Sequence, residues 1–383
     1  MAIHFSEQEL RERQERTCAA LAEQGLDGLL MFRQESMYYL TGYDTFGYVF
    51  FQCLYLTADG RMALLTRAPD LRQAEHTSVI ADIRIWRDTE NADPAKILRD
   101  MVAEFGGQGS RVGIEWDAYG LTARNGQRVA AAFDGFCSLD DRSTLISRLR
   151  LTKSTAEMDY VRQAAELADA AWAAGVQTAG AGAFEGDILA AMQGAVFAGG
   201  GDYPGNPFII GSGRDALLCR YFTGRRHLSE QDQLTLEFAG SYRHYHACLM
   251  RTIIIGEASA RHLTLFDACR EALLACEAAV RPGARMAEVF DAHAGVFDGL
   301  GLTDHRLNAC GYSLGTTFAP NWMDWPMFHD GNPTVMAPNM VFFLHMILMD
   351  SDSGQAMTLG RTVAVTEQGS EPLSKAPLDL QRV

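Results

Sequence analysis

The stretch from Leu234 to Ala258 constrains the fold of this chain more than any other, because it has the pattern of two apolar strands joined by one turn. In its first half, Leu236 and Phe238 alternate with polar or small residues, which is the period-two pattern of a strand. We predict a turn at Ala239-Gly240-Ser241, after which the chain returns from Tyr245 to Ile255. The sequence therefore predicts a long β-hairpin within an antiparallel sheet.

The same hairpin carries an unusual set of side chains that are capable of chemistry: Glu237, His244, His246, Cys248 and Arg251. Ionisable groups placed between apolar segments cost free energy unless they pair with each other or take part in a reaction. Two interpretations follow. The hairpin holds a catalytic centre, or it holds a structural network in which Glu237 only forms an ion pair with an arginine. His244, His246 and Cys248 are spaced by two, so we expect them to share one face of the strand.

Length and composition favour a two-domain enzyme. A chain of 383 residues exceeds the usual size of a single core, and the pattern changes near residue 148. Residues 1–148 alternate short apolar strands with helices, which predicts a small α/β domain with a mixed sheet. Residues 149–383 begin with long helical patterns, and the predicted helices here span residues 155–179, 184–198, 258–280 and 286–300.

Charge and cysteine usage exclude several classes of partner. The net charge of −15 and the pI near 5.1 argue against nucleic acid or an anionic membrane surface. No apolar run reaches the length of a membrane span, and the N-terminal segment is charged and amphipathic, unlike a signal peptide. The eight cysteines form no CxxC pair, which suits free thiols in a reducing cytoplasm. We therefore expect a cytoplasmic protein that acts on a small molecule.

The hairpin resembles the paired strands of the creatinase/prolidase/methionine aminopeptidase family, which has the pita-bread fold. That family's pattern has an acidic residue, a second Asp eleven positions later, and Arg-Thr at positions fourteen and fifteen. Glu237, Cys248 and Arg251-Thr252 stand at those places. The resemblance implies a two-domain α/β and α+β protein, with a creatinase-like N-terminal domain over residues 1–148 and a pita-bread catalytic domain over residues 149–383.

The family's metal-binding pattern is altered at four of its five ligand places. Cys248 replaces the bridging Asp, Tyr312 stands at the place of a His, and His345 and Gly360 stand where two Glu residues are expected. Divalent ions in such open sites prefer hard oxygen ligands. The resemblance therefore implies no catalytic metal and no cofactor. A mononuclear zinc site made by Glu237, His345 and Cys248 is the alternative with tolerable ligand types.

Within the family, the chain is most similar to the metal-free branch of ectoine hydrolases and, more distantly, creatinases. Three stretches carry this likeness, at residues 41–53, 237–252 and 311–322. One position departs from the branch, because Arg220 occupies the place of a His that creatinases use in acid–base catalysis. An arginine stays protonated near neutral pH and cannot act as a base.

The sequence thus predicts a metal-independent hydrolase that cleaves a C–N bond in a small polar amidine, amide or guanidino compound, and one that carries a carboxylate. The catalytic residues are expected to be Glu237, His246 and His345. The substrate-binding residues are expected to be Arg220, Arg251, Tyr312, Cys248, Trp322, Tyr43, Phe46 and Tyr48.

Other interpretations remain open at this point. The resemblance implies a homodimer in which the Tyr43–Tyr48 loop closes the neighbouring subunit's site, although these aromatic residues are equally suited to the core of the first domain. His345 is either functional or hydrogen-bonded and inert, and Trp322 walls a pocket or only packs. A metal-dependent Xaa-Pro aminopeptidase or prolidase is one alternative function, and a non-catalytic small-molecule-binding homologue is another.

Overall fold

The structure, a computed structural model, describes residues 3–222 and 224–383. The chain divides into two compact units, Met1–Arg150 and Leu151–Val383. Within the described residues, none of the helices combines the length and the apolar character that crossing a membrane requires.

The first unit is built on a mixed sheet. Its strands are β1 (Gly28–Met31), β2 (Cys53–Thr57), β3 (Met62–Arg67), β4 (Ile83–Trp86), β5 (Arg111–Ile114) and β6 (Ser138–Asp141). The strand order is β4-β3-β2-β1-β5-β6. β1 pairs antiparallel with β2 and parallel with β5, which agrees with the mixed sheet predicted from the sequence. The helices are α1 (Glu7–Glu23), α2 (Gln34–Thr41), α3 (Leu71–Thr77), α4 (Pro94–Glu104), α5 (Ala123–Phe133) and α6 (Leu145–Arg150).

Capping residues explain where two of these helices begin. α1 begins after Ser6, whose hydroxyl accepts a hydrogen bond from the Glu9 amide at 3.2 Å. α5 begins after Thr122, whose hydroxyl accepts from the Asn125 amide at 3.3 Å. The segment from residue 145, close to the change of pattern near residue 148, forms the short helix α6.

The second unit is built on a nine-stranded sheet. Its strands are β7 (Ile209–Ser212), β8 (Asp232–Tyr242), β9 (Tyr245–Ile255), β10 (Gly311–Ser313), β11 (Asp324–Met327), β12 (Val341–Asp350), β13 (Gln355–Val365), β14 (Ser370–Pro372) and β15 (Gln381–Arg382). The main strand order is β11-β10-β12-β13-β9-β8-β7, with β14 paired to β13 and β15 to β9. Its helices are α7 (Thr155–Thr178), α8 (Glu185–Ala198), α9 (Ala260–Ala279) and α10 (Met286–Gly299). All four lie within two residues of their predicted ranges.

The β8–β9 hairpin has its turn at a different place from the one predicted. Arg243 and His244 form the turn, both with positive φ (50° and 65°), as a two-residue hairpin connection requires. Gly240 lies inside β8 instead, where a Cβ atom would collide with the Ala164 carbonyl oxygen of α7. The glycine thus permits close packing of helix on strand. The expectation that His244 shares a strand face with His246 is therefore wrong.

Strand register decides which side chains share a face of this sheet. Side chains of directly paired residues point to the same side of a sheet. Glu237 pairs with Met250, Met250 with Gly360, and Gly360 with His345. Glu237 and His345 therefore lie on the same face. Tyr312 joins this face through its pairing with Phe343, two residues before His345. The other face is apolar and packs under α9 and α10, with Leu344, Met346, Leu348, Met357 and Leu359 in one core cluster. The polar face is therefore the one available for a site.

Candidate functional site

A cavity of about 330 Å³ opens on the polar face of the second unit's sheet. Three of its polar lining residues come from strands, Glu237 on β8, Tyr312 on β10 and His345 on β12. Arg220 reaches it from the loop before β8, and Trp322 from the loop between β10 and β11. The structure thus brings together, in one cavity, five side chains that the sequence singled out, from positions as far apart in the chain as Arg220 and His345.

A directed pair of hydrogen bonds holds the Glu237 carboxyl. The Trp322 Nε1–H group donates to the Tyr312 hydroxyl oxygen at 2.8 Å, and that hydroxyl donates to Glu237 Oε1 at 3.1 Å. An indole N–H can only donate, so the phenol oxygen accepts from Trp322 and its own proton is directed toward the carboxylate. Tyr312 is itself fully desolvated, and burial followed by the charge of Glu237 raises its pKa far above the usual range. It is thus a hydrogen-bond donor and not an ionised group.

The environment of Glu237 brings its titration close to neutral pH. Burial raises the pKa of the carboxyl to about 7, against the opposing effects of the Tyr312 hydrogen bond and the Arg220 charge. The residue nevertheless keeps partial exposure on the cavity wall. A carboxyl with such a pKa exists in both protonation states near pH 7, which is what a group that accepts and returns a proton needs.

His345 lies on the cavity wall as a neutral imidazole. Only 7% of its surface is exposed, and burial, followed by His293 and its other neighbours, lowers its pKa to about 3. Its Nδ1 atom is buried and has no hydrogen-bond partner within residues 3–222 and 224–383. The ring packs against Tyr312 at 5.6 Å between centroids. His345 therefore cannot supply an imidazolium near neutral pH.

Arg220 is exposed at the cavity and its guanidinium is not engaged. It has no hydrogen-bond or ion-pair partner in the part of the chain that the structure describes. The ion pair between Glu237 and Arg220 that a purely structural network would need is not formed among these residues. The free guanidinium makes this wall of the cavity suited to an anionic group.

The structure corrects the catalytic role expected for His246. Its side chain is fully buried, outside the set of residues that line the cavity, and both ring nitrogens are engaged. Nε2 accepts from the Gly205 amide at 2.8 Å, and Nδ1 lies 3.0 Å from the Thr317 hydroxyl. That hydroxyl donates to the Trp322 carbonyl at 3.3 Å, so it accepts from Nδ1–H. Burial lowers the pKa of His246 to about 3, so it is a fixed neutral clamp and not a proton shuttle.

Arg251 and Cys248 also lie away from the cavity wall. Arg251 pairs with Leu236 and Leu359, so it points to the opposite face of the sheet from Glu237. Its Nη1 atom donates to the Met250 and Gly360 carbonyls, and burial lowers the pKa of the guanidinium to about 10. The expected substrate-binding role of Arg251 is therefore wrong. Cys248 shares the face of Glu237 but is buried, and burial followed by the Glu237 charge raises the pKa of its thiol.

The three aromatic residues expected from the first unit have different environments. Tyr43 is fully buried in that unit's core, with its hydroxyl 3.3 Å from Gln52 Oε1, so its expected substrate-binding role is corrected to packing. Tyr48 is buried as well, and burial raises the pKa of its hydroxyl to about 12. Phe46 is 71% exposed and contacts Tyr48 edge to face. Of the three, only Phe46 presents its ring to the outside of the first unit.

Sequence reasoning missed the residues that complete the cavity wall. They are three amides and a group of apolar side chains: Asn206, Asn308, Asn321, Ile209, Leu307, Met323, Met327 and Ile347. Most lie in loops, where no period or spacing marks a residue as functional. The only available signal was the position of Asn321 next to Trp322, inside a stretch already identified as similar to the family.

A larger groove, of about 830 Å³, lies on the first unit but its charges are already neutralised. Arg84 forms ion pairs with Asp82 and Glu104, and Arg61 pairs with Asp59. The groove therefore lacks the unpaired charge and the shifted carboxyl pKa that distinguish the smaller cavity.

The side chains at the five family ligand places do not fit a pair of divalent ions. Glu237 is bound to Tyr312, Cys248 is held as a thiol, and Gly360 offers no side chain. A Cβ atom on Gly360 would lie 3.0 Å from the Phe343 ring and 2.7 Å from the Leu344 carbonyl oxygen, so the space is filled. Within the described residues there is no group of three His, Cys, Asp or Glu side chains that could hold a metal ion. The zinc site considered from the sequence is not assembled either.

Comparisons with known proteins agree with this architecture. The model of metallopeptidase family M24 matches residues 159–367, and that of the creatinase/prolidase N-terminal domain matches residues 13–152. The ectoine hydrolase of Halomonas elongata is 24% identical over 406 residues, covering 99% of this chain and 98% of that protein. The Xaa-Pro dipeptidase of Pyrococcus furiosus is 22% identical over 373 residues, covering 97% and 100%.

Solved structures show the same fold. The prolidase of Thermococcus sibiricus superposes with a TM-score of 0.88 at 20% identity, covering 97% of this chain and 99% of that one. The relatives thus include both an ectoine hydrolase and Xaa-Pro dipeptidases at similar identity.

Proposed function

This chain belongs to metallopeptidase family M24, and we propose that it is a metal-independent hydrolase that opens a C–N bond in a small amidine, guanidino or amide compound bearing a carboxylate. The observation that carries the proposal is the Glu237 carboxyl, which faces a small cavity with a pKa of about 7 and a directed hydrogen bond from Tyr312. The likeness to an ectoine hydrolase over nearly the full length supports it.

The chemistry of the five ligand places supports a reaction without a metal. Peptide hydrolysis on a dinuclear centre needs carboxylates that bridge and flank two ions. Here one carboxylate remains, and the Phe343 ring fills the space beside Gly360. The polar face is instead lined by a hydrogen-bond donor, a neutral imidazole and one titrating acid.

Glu237 is proposed as the general base. Its ionised form removes a proton from a water molecule as the water oxygen bonds to the substrate's amidine or amide carbon. It then returns that proton to the departing nitrogen as the C–N bond breaks. One group can serve both steps because its pKa lies near the working pH. Water supplies the oxygen and both protons, so the reaction needs no other co-reactant.

Tyr312 and Trp322 are proposed to stabilise and orient the ionised Glu237 carboxylate. The phenol proton stabilises the ionised carboxylate, and the indole N–H fixes the direction of that proton. Since both side chains are buried, they need no reorientation during the reaction, which is the condition under which such donors contribute most.

Arg220 is proposed to bind the substrate's carboxylate. Its guanidinium is at the cavity and lacks a partner among the described residues, and its planar fork matches a carboxylate. With the carboxylate held by Arg220, the amidine or amide end of a small molecule is proposed to reach Glu237, which lines the same 330 Å³ cavity. The apolar part of the lining, including Met323 and Ile347, suits the carbon skeleton between the two ends.

The test is a substrate panel of ectoine, creatine, guanidino acids, N-acyl amino acids and Xaa-Pro dipeptides, with products detected by mass spectrometry with and without a chelator. We expect turnover of an amidine, guanidino or amide acid that the chelator does not affect. Glu237→Gln should lower that turnover by roughly a hundredfold or more with little change in melting temperature. Glu115→Gln is the matched control, because Glu115 is also buried with a pKa near 7 but belongs to the first unit's core.

Other outcomes would reject the proposal. Turnover of Xaa-Pro dipeptides alone, lost on adding chelator, would favour the dipeptidase function. A compound that raises the melting temperature and is never consumed would favour the binding protein.

The proposal includes a homodimer in the cytoplasm. Phe46, Val49 and Phe50 are exposed by 71, 46 and 49% on one short segment of the first unit, and such an apolar patch suits a partner surface. All eight cysteines are free thiols, which agrees with a reducing compartment.

A further inference from the structure

We propose that Asn321 is a specificity-determining residue that donates its side-chain amide to the substrate's carboxylate, together with Arg220. This inference rests on the proposed function and adds to it a second donor for the substrate's carboxylate.

One hydrogen bond of Asn321 fixes which atom of its side-chain amide is the oxygen and which is the nitrogen. Its Oδ1 atom accepts from the Met323 backbone amide at 3.0 Å, which an NH₂ group cannot do. The side chain lines the cavity, and its Nδ2 group has no hydrogen-bond partner within residues 3–222 and 224–383. Two N–H donors are therefore available to a ligand, and the acceptor of this amide is already used.

The other two amides of the cavity differ from Asn321. Asn206 is already engaged at both ends of its amide, because its Oδ1 accepts from the Trp322 amide at 3.2 Å and one N–H of its Nδ2 donates to the Pro207 carbonyl at 3.0 Å. Asn308 is exposed, and no contact among the described residues fixes its amide. Asn321 is thus the amide whose orientation is set and whose donors are open.

The backbone around Asn321 is held in place before any ligand binds. A Cβ on Gly205 would lie 2.9 Å from the Asn321 carbonyl group, so the two backbones are in close contact. The Gly205 amide is bound to His246, and the Thr317 hydroxyl links His246 to the Trp322 carbonyl. A donor on such a support loses little conformational entropy on binding.

The cavity wall consequently combines unengaged donors with one titrating acceptor. Arg220 and Asn321 present only donors, and Glu237 presents an acceptor when it is ionised. A carboxylate has room for several donors, so it can be shared by a guanidinium and an amide. Such a wall suits a zwitterionic or amphoteric ligand, with a carboxylate for the two donors and an N–H group for Glu237.

Calorimetric titration with ectoine, 4-guanidinobutyrate and the methyl ester of 4-guanidinobutyrate tests this assignment. Asn321→Asp keeps the acceptor for Met323 but turns the open donors into a carboxylate oxygen. We expect it to weaken binding of the two acids roughly tenfold or more, from the loss of hydrogen bonds to a charged group. The ester should bind wild type more weakly than its acid and should lose much less affinity in the variant.

Asn308→Asp is the matched control, since it adds the same charge to the same cavity at an amide with no fixed orientation. It measures the effect of the added charge alone, and Asn321→Asp should weaken binding of the acids at least threefold more than Asn308→Asp does. Equal losses in Asn308→Asp and Asn321→Asp would overturn the inference, and so would unchanged affinity in Asn321→Asp. If the aspartate variant does not fold, Asn321→Ser removes the amide without adding charge, and unchanged affinity there overturns the inference as well.

Failure of the proposed function gives a different result. If wild type binds neither acid, the substrate class is rejected and the role of Asn321 falls with it. If wild type binds the acids and hydrolyses one, while Asn321→Asp binds them equally well, only the role of Asn321 is rejected.

Discussion

Replacing Tyr312 with Phe isolates the physical basis of the proposed base. The substitution removes the hydroxyl that donates to Glu237 Oε1 at 3.1 Å and keeps the ring that packs against His345. Burial already raises the pKa of Glu237 to about 7, and the Tyr312 hydrogen bond opposes that rise by stabilising the ionised form. Without the hydroxyl, the pKa of Glu237 should therefore increase further.

The size of the shift follows from the strength of one hydrogen bond to a charged group. Such a bond contributes about 1.5–3 kcal/mol, and one pKa unit corresponds to about 1.4 kcal/mol. The cavity admits water, which replaces part of the lost interaction. We therefore expect the pKa of Glu237 to rise by about one unit in Tyr312→Phe, and the ascending limb of the pH–activity profile to move by the same amount.

The measurement does not depend on knowing the substrate. Carbon-13 NMR of side-chain-labelled glutamate follows each carboxyl as a function of pH, and Glu237→Gln and Glu115→Gln assign the two resonances that titrate near neutral pH. Tyr43→Phe is the control, because it removes a buried hydroxyl of the first unit that is bound to Gln52. It should leave the titration of Glu237 unchanged.

Two results would refute the reasoning. A Glu237 resonance that titrates near the ordinary value of about 4.3 in wild type would show that burial does not hold the carboxyl as described. An unshifted resonance in Tyr312→Phe would show that the phenol proton is not directed at Glu237.

Three further predictions address metal, substrate binding and stability. Protein purified without added metal should contain less than about one equivalent of any transition ion per chain, because the ligand set is poor in carboxylates; two tightly bound ions by elemental analysis would contradict this. Arg220→Lys should raise KM for the acidic substrate more than it lowers kcat, since lysine lacks the planar fork; an unchanged KM in steady-state assays would remove Arg220 from the binding site. The pKa of Glu115, raised by burial to about 7 from 4.5, means that the folded chain retains a proton that the unfolded chain releases. As the pH rises from about 4.5 to 7, the free energy of unfolding should therefore fall by up to about 3 kcal/mol more in wild type than in Glu115→Gln. Urea denaturation at each pH would measure this difference. Equal slopes of the free energy of unfolding against pH in the two proteins would argue against a protonated Glu115.

Local patterns were sufficient to predict the four helices and the β8–β9 hairpin of the second unit, but the turn predicted for that hairpin implies a face for Arg251 that the structure does not have. A three-residue turn at Ala239–Ser241 pairs Phe238 with Tyr242, which puts Arg251 on the same face as Glu237. The actual two-residue turn at Arg243–His244 reverses that relation for every residue of β9. The glycine that suggested the earlier turn is needed for the contact with Ala164, which depends on tertiary packing that a single segment does not encode.

The candidate site was only partly predictable for a related reason. Glu237, Tyr312 and His345 could be identified because each stands at a ligand place of the family that the sequence resembles. His246 was singled out by its place on the hairpin, yet its partners Gly205 and Thr317 come from loops far away in the chain, and these partners make it a clamp. The role of a buried histidine depends on what its two nitrogens meet, and only the tertiary structure shows this.

The replacements at the family's ligand places are coupled, and this coupling supports a change of chemistry over a simple loss of activity. Gly360 lacks the side chain that would reach the polar face, and the Phe343 ring takes that space. The same ring packs edge to face against Tyr312, at 5.4 Å between centroids, and Tyr312 donates to Glu237. A chain that had merely lost its metal would leave Glu237 as an unpaired buried carboxylate, which is costly. In this chain the Phe343 ring and the Tyr312 hydroxyl are arranged around that carboxyl. The pKa of Glu237 therefore lies at a value where the group can both take up and release a proton.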